Sequence, residues 1–464
     1  MHVAGERVEG GRVRRGQARR RLSGIQLFVA SFAGIIAVGA LGFLVLPGLY
    51  VGPRLGMIDA LFTAASAVCV TGLIVVDTAT HFTRWGQLWI LVLIQAGGIG
   101  ILTFTTLIIR LLGRRGGLDL ESGAGAGVAA RLGDPRALLR AVVTLTFAIE
   151  SAGALGLWLL WRGALGGSEA VWHAVFHAIS AFCNAGFSTF TDSLTGFRGS
   201  ASVVLLVAGL VVLGGLGFVV LEDVRARFVG RSVRRLSTHT RLALVATVVL
   251  IVGATAVFYL FEAGNVLRPL GAGDRAVNAV FMAITPRTAG FNTVDYDQVT
   301  NPSMALTVGL MLIGGSPGGT AGGIKTTTAL LLVLVLVSRV RGAREVSAWG
   351  RSVPPDVVQT AAGLVVGAIA ILAVAILALL LTEAGEVARH RESFAQLVFE
   401  AHSAFGTVGL SMGKTAELTP VGRLVITGLM FVGRVGPLSL AAAMAFAAER
   451  RPPFRYAYDE VVVG

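Results

Sequence analysis

Four short stretches decide the fold: Val70-Thr71-Gly72-Leu73, Asn184-Ala185-Gly186-Phe187, Thr288-Ala289-Gly290-Phe291 and Thr407-Val408-Gly409-Leu410. Their glycines lie 114, 104 and 119 residues apart in a chain of 464, which marks an internal repeat. Other residues keep the same register. Ser66, Ser180 and Ser403 stand six positions before the glycine, and Phe62, Phe176 and Phe399 ten before it. In the third copy Ile284 breaks the serine pattern and Phe281 is one residue out of step. A glycine that only permits a tight turn or a helix contact has no reason to repeat together with a serine and a phenylalanine.

Each stretch lies between apolar runs. Ile25 to Leu46, Leu88 to Ile109 and Leu242 to Phe261 are apolar on every side, and the chain is 54% hydrophobic and only 14% charged. Runs of this length cross a hydrocarbon core of roughly 30 Å, whereas soluble amphipathic helices keep a polar face. The segment before each glycine is shorter, long enough only for a helix that enters the membrane and turns back. The expected architecture is an all-α polytopic membrane protein with four repeats around a pseudo-fourfold axis. Each repeat comprises a spanning helix, a re-entrant pore helix, a glycine loop and a second spanning helix. This gives eight spanning helices and four pore helices.

The net charge of +13 sits in arginine blocks that abut apolar runs: Arg12 to Arg21, Arg110 to Arg115, Arg225 to Arg241, Arg339 to Arg351 and Arg450 to Arg455. Placing every block in the cytoplasm satisfies the positive-inside rule, and no block carries the interleaved aromatics of a nucleic-acid surface. Both termini are then cytoplasmic, the protein is multi-pass in the plasma membrane, and the glycine loops enter from outside. The basic start followed by an apolar run resembles a signal peptide, but the run is too long and has no small-residue cleavage site, so it is expected to span. The expected divisions are a basic tail (1–23), repeat 1 (24–110), a cytoplasmic loop (111–136), repeat 2 (137–225) and a second loop (226–240). Repeat 3 (241–340), a third loop (341–355), repeat 4 (356–449) and a C-terminal tail (450–464) follow. Two cysteines, Cys69 and Cys183, exclude a disulfide framework and read as small residues behind the loops.

Irregular backbone at membrane depth must be buried in protein or face water. Four such loops meeting on one axis can turn main-chain carbonyls inward and replace the hydration shell of a monovalent cation. Glycine permits backbone angles that a Cβ would obstruct, and each pore helix aims the negative end of its dipole at the centre. The expected ion-binding residues are Val70, Thr71 and Gly72; Asn184, Ala185 and Gly186; Thr288, Ala289 and Gly290; and Thr407, Val408 and Gly409. No ring of four carboxylates accompanies the loops, so selection rests on backbone. No cofactor is expected, and no paired carboxylate, nucleophile with base or sensing domain suggests an enzyme or receptor.

Two further features concern flow. The run from Met304 to Val340 is interrupted by Gly314, Gly315, Ser316, Pro317, Gly318, Gly319, Thr320, Ala321, Gly322 and Gly323, which cannot stay helical. A break at membrane depth lines the pore, and a flexible obstruction there would be a gate; a packing kink is the bland alternative. A phosphate loop needs lysine directly after the glycine, but Ile324 separates Gly323 from Lys325. Lys325 either lines the vestibule or caps a carbonyl. Glu150 and the pore-helix residues His173, His177, Glu400 and His402 read as hydrogen bonders. Arg434 is an ionised residue inside the last apolar run, where charge is costly and faces a cavity or partner.

These features together resemble the Trk/Ktr/HKT superfamily of potassium transporters over residues 24 to 449. The four loops, Gly186-Phe187-Ser188 and Arg287-Thr288-Ala289-Gly290-Phe291-Asn292 carry the resemblance. It implies potassium as the transported ion, because all four loops hold glycine where sodium-permeable members have serine in the first. It also implies that Arg434 and the 314–323 loop restrict flow together. The chain is closest to the shorter Ktr-type membrane subunit, which implies a homodimer, with Tyr456 to Gly464 near the contact, and a cytosolic nucleotide-binding regulatory ring. Sodium permeation or coupling, and an ion-translocating subunit of an ATP-driven pump, stay open as alternatives.

Overall fold

The computed structural model describes residues 24–115, 135–228, 236–343, 345–349, 351–387 and 392–436. The basic tail (1–23), most of the 111–136 loop, the centre of the 226–240 loop and everything after Gly436, including the expected 450–464 tail, lie outside the described residues.

The chain is a succession of helices. Helix α1 covers Gly24–Val45, α2 Met57–Val68, α3 Arg84–Arg115, α4 Pro135–Leu165 and α5 Gly167–Cys183. Helices α6 (Ala201–Leu216), α7 (Phe218–Phe228), α8 (Thr238–Glu262), α9 (Ala272–Ile284) and α10 (Asn301–Leu312) follow. The last four are α11 (Thr326–Val340), α12 (Pro355–Thr382), α13 (Glu392–Gly406) and α14 (Pro420–Val435). The single departure from an all-helical reading among the described residues is a hairpin of two-residue strands, β1 (Ser347–Ala348) and β2 (Arg351–Ser352).

Among the described residues five helices are long and apolar enough to cross a bilayer: α1, α3, α4, α8 and α12. Helices α6 and α7 make a sixth span only when taken together, because the chain turns by 103° between them. The turn is at Gly217, whose φ of +87° is open to glycine and costly for other residues. Neither α10, with 12 residues, nor α11, with 15, spans alone; the glycine-rich stretch between them interrupts the run. In α14, 16 residues are described. The interruption between α10 and α11 is the one expected at 314–323, whereas the bend at Gly217 is a second break that the sequence reading did not include.

The short helices α2, α5, α9 and α13 have 12, 17, 13 and 15 residues, or roughly 18 to 26 Å at the usual rise, too short to cross. Each buries the phenylalanine in register, Phe62, Phe176, Phe281 and Phe399, at 1% exposure or less. Among helices in lipid such packing acts through dispersion contacts more than through exclusion of water. The second halves of the molecule also repeat one polar device. Glu262, at the end of α8, accepts from Thr300 N (2.9 Å) and Thr300 Oγ1 (2.6 Å) at the start of α10. Glu383, just past α12, accepts from Thr419 N (3.1 Å) and Thr419 Oγ1 (2.6 Å) at the start of α14. A carboxylate at a helix N-terminus satisfies backbone N–H groups that have no partner in their own helix.

Candidate functional site

Helices α2, α5, α9 and α13 stop directly before the four glycine loops, and each loop folds back by the same local means. Val70, Asn184, Thr288 and Thr407 adopt φ of +56°, +60°, +71° and +50°, and Gly72, Gly186, Gly290 and Gly409 adopt +94°, +69°, +77° and +91°. A non-glycine residue at positive φ is strained, so its recurrence at four equivalent positions marks a constrained backbone. The hydroxyl on the preceding helix staples each loop from behind. Ser66 Oγ donates to Leu73 O (2.7 Å) and accepts from Gly72 N (3.1 Å). Ser180 Oγ donates to Phe187 O (2.7 Å), and Ser403 Oγ accepts from Gly409 N (3.1 Å).

The third loop, where the sequence pattern fails at Ile284, has the same staple one residue later: Thr285 Oγ1 donates to Phe291 O at 2.7 Å. The third helix is one residue closer to its glycine, which also accounts for the displaced Phe281.

The four loops close into a ring. A Cβ on Gly72 would meet the carbonyl of Ala185 and the Cα of Gly186; one on Gly186 would meet Ala289 and Gly290. A Cβ on Gly290 would meet Val408 and Gly409, and one on Gly409 would meet Thr71 and Gly72. The chain thus brings all twelve expected loop residues to one place, in the order 1, 2, 3, 4, with loop 1 opposite loop 3 and loop 2 opposite loop 4. Carbonyl oxygens and helix C-termini converge there, an environment that favours a cation. The hydroxyls of Thr71, Thr288 and Thr407 are buried and have no hydrogen-bond partner among the described residues.

One side of the ring opens into a funnel of about 510 Å³, lined by Gly72, Gly186, Gly290 and Gly409 at its base and by Asp77, Asp192 and Asp295 on its wall. Five positions after the glycine, where copies 1 and 3 have Asp77 and Asp295 and copy 2 has Thr191, the fourth arm has Lys414, buried and paired with Glu417 at 2.8 Å.

Against the other side of the ring lies the 314–323 stretch, and it is not slack. Gly314 N donates to Ile324 O (2.9 Å), Ser316 N to Gly215 O (2.8 Å) and Thr320 N to Gly214 O (3.1 Å). Phe218 N donates to Gly318 O at 3.0 Å, so the loop plugs into the bend between α6 and α7, where Gly217 lies against Gly318 and Gly319. Satisfied backbone of this kind is what membrane depth requires. The loop also touches the ring. Gly314 packs beside Thr288 and Gly322 beside Thr407. The Asn184 amide, oriented so that its nitrogen meets the carbonyls of Ala181 and Val211, accepts from Thr320 Oγ1 at 3.1 Å.

Two buried arginines and the half-buried Lys325 hold loop carbonyls. Arg434 donates from Nη1 to Thr320 O and from Nη2 to Gly97 O (3.4 Å), tying α14 to the loop and to α3. Lys325 Nζ donates to Ala321 O at 2.7 Å, the capping role. Arg287 Nη2 reaches Gly314 O at 3.4 Å. None of the three is paired with a carboxylate among the described residues. Arg287 was part of a motif in the sequence without a role; a full charge four residues ahead of Phe291, beside a membrane-depth loop, was the available signal. Glu150 accepts from Gln95 Nε2 at 3.0 Å, a contact between helices α3 and α4. Cys69 and Cys183 are free and buried behind the loops.

A family model described as TrkH, cation transport protein, matches residues 40–451. The chain belongs to the TrkH family. Its similarity to the Ktr system potassium uptake protein B of Bacillus subtilis is 38% identity over 442 residues, covering 95% of this chain and 96% of that one. Similarity to the potassium/sodium uptake protein NtpJ of Enterococcus hirae is 34% over 454 residues, covering 97% and 99%. The crystal structure of the potassium transporter TrkH from Vibrio parahaemolyticus superposes with a TM-score of 0.70 over 91% of this chain and 86% of that one, at 21% identity. The TrkH-family fold and the all-helical membrane architecture read from the sequence agree. The TrkH family is one of transport proteins and not of enzymes.

Proposed function

We propose that the chain takes up potassium across the plasma membrane through the ring of four glycine loops, and that the 314–323 loop with Arg434 restricts the flow. The observation that carries this reading is the closure of the ring: four loops from distant parts of one chain meet glycine to carbonyl, with helix C-termini behind them. A hydrated cation entering from the funnel exchanges water for carbonyl oxygens and for the hydroxyls of Thr288 and Thr407. Beyond the ring it meets Thr320 and the positive charge of Arg434, Lys325 and Arg287. Flow therefore requires the loop to withdraw from the ring, and the loop's anchors in the α6 to α7 bend set how readily it does so.

The similarity to Ktr system proteins supports two further parts of the proposal: a homodimer, and a cytosolic nucleotide-binding ring that docks on the arginine-rich face and drives the loop. With the arginine blocks on that face, both termini are cytoplasmic. A second reading, in which sodium also permeates or is coupled, is favoured by the likeness to a protein named for potassium and sodium together.

Flux into liposomes containing the purified chain, measured with potassium and with sodium as the sole cation, tests the proposal. Potassium entry well above sodium entry, with the preference reduced in Gly72→Ser, is the expected result. Equal entry of both ions in the unaltered chain would favour the sodium-permeable reading. No cation entry, even after removal of residues 314–323, counts against the pore itself.

A further inference from the structure

The four copies differ in what holds the outer arm of each loop, the residues that follow the ring glycine toward the funnel. The residue after the register phenylalanine is Thr63 in copy 1, His177 in copy 2, Met282 in copy 3 and Glu400 in copy 4. Two positions beyond the glycine the copies have Ile74, Ser188, Asn292 and Ser411. In copies 2 and 4 these two positions meet. His177 Nδ1 faces the His173 carbonyl at 2.8 Å and must donate to it, so Nε2 accepts, and Ser188 Oγ lies 2.9 Å away as the donor. Ser188 Oγ in turn accepts from Phe190 N at 2.9 Å. Glu400 accepts from Ser411 Oγ (2.5 Å), Met412 N (3.1 Å) and Thr415 Oγ1 (2.5 Å). Both His177 and Glu400 are fully buried. In copies 1 and 3 no such pair joins the pore helix to the arm: Thr63 Oγ1 has no partner among the described residues, and Met282 carries no group that could hold Asn292. The arm of copy 3 is instead tied sideways to copy 2, with Asn292 N donating to Ser193 Oγ (3.1 Å) and Asn292 O accepting from Leu194 N (2.9 Å).

Copies 2 and 4 stand opposite each other in the ring. We infer that His177 and Glu400 are positioning residues for ion selectivity, each clamping the outer arm of its own loop from its own pore helix, so that the ring is braced from behind across the diagonal of copies 2 and 4. A carbonyl ring whose oxygens resist closing around a smaller cation disfavours that cation. The braced diagonal supplies that resistance, and the hydroxyl of each serine transmits it. This inference rests on the proposed conduction through the ring.

Potassium and sodium influx into liposomes holding the full chain provide the test. Ser188→Ala and Ser411→Ala should each lower the potassium-to-sodium influx ratio by about threefold to tenfold, the factor to which one net hydrogen bond converts. The double variant should lower it further. Ser188→Thr and Ser411→Thr, which keep the hydroxyl, should restore the ratio, and Thr63→Val in copy 1 should leave it unchanged. Glu400→Gln, which keeps size and one acceptor oxygen, serves if Ser411→Ala fails to fold, and should also lower the ratio. A ratio unchanged in the alanine variants, with potassium influx retained by the unaltered chain, overturns the clamp alone. An equal shift in Thr63→Val overturns it too, by reducing the effect to general loosening. Absence of potassium influx in the unaltered chain overturns the functional reading and the clamp with it.

Discussion

The ring and the 314–323 loop are both glycine-rich, both central and in contact, yet they use glycine for opposite ends. In the ring all four glycines take positive φ, and the carbonyls of neighbouring loops crowd where side chains would be. In the loop only Gly318 and Gly323 take positive φ. The others permit close approach: Gly314 to Gly322, and Gly319 to Gly214 and Gly215. The ring's oxygens are left free, whereas loop carbonyls at Gly314, Thr320 and Ala321 are occupied by Arg287, Arg434 and Lys325. Glycine by itself therefore says little about function; under the proposed conduction, what the freed carbonyl faces decides whether the segment attracts a cation or blocks one.

The largest expected effect breaks the ring side of this comparison. Gly290→Ala places a methyl group against Val408 O at a φ of +77°, and strain of roughly 1–3 kcal/mol at such a site corresponds to a loss of potassium flux approaching a hundredfold. Flux in liposomes, with the amount of folded protein matched by gel filtration, reads the outcome. On the loop side, Arg434→Gln removes a charged donor from Thr320 O. The hydrogen bonds of a charged group are worth about 1.5–3 kcal/mol, so resting flux should rise by about tenfold or more. Unchanged flux in a folded Arg434→Gln protein would leave the arginine only a packing role. The smallest effect tests the seam between the two regions. Thr320→Val removes the hydroxyl that lies 3.1 Å from both the Asn184 amide oxygen and the Phe182 carbonyl, and at about 1 kcal/mol should raise flux roughly fivefold without altering ion preference. A change of preference instead would mean that the loop shapes the ring as well as covering it.

Much of the ring was legible in the sequence because its determinants are local and repeated. Ser66, Ser180 and Ser403 act within seven residues of their own position, and a spacing that recurs exposes them. Thr285 was missed for an equally local reason, since a connection shorter by one residue moves the staple out of the counted position. The loop's anchoring could not be read. Thr320 meets Phe182 across 138 residues and Arg434 across 114, and nothing in hydropathy or spacing announces such partners. The 103° turn at Gly217 was hidden as well, because one glycine among many in an apolar run carries no sign of its φ. Flexibility was inferred from six glycines and a proline, yet burial and backbone pairing fix the stretch in place.

The one-residue shortening before the third loop has a wider consequence. In an assembly of four identical chains any substitution is copied to every quarter, and symmetry forbids a local adjustment. Here each quarter is spelled separately, so drift in one leaves the other three untouched. A single lineage can accumulate a missing residue on one side, a lysine in place of an aspartate on another, and a histidine facing a glutamate across the axis. Single-chain encoding thus lets selection tune such a ring one quarter at a time.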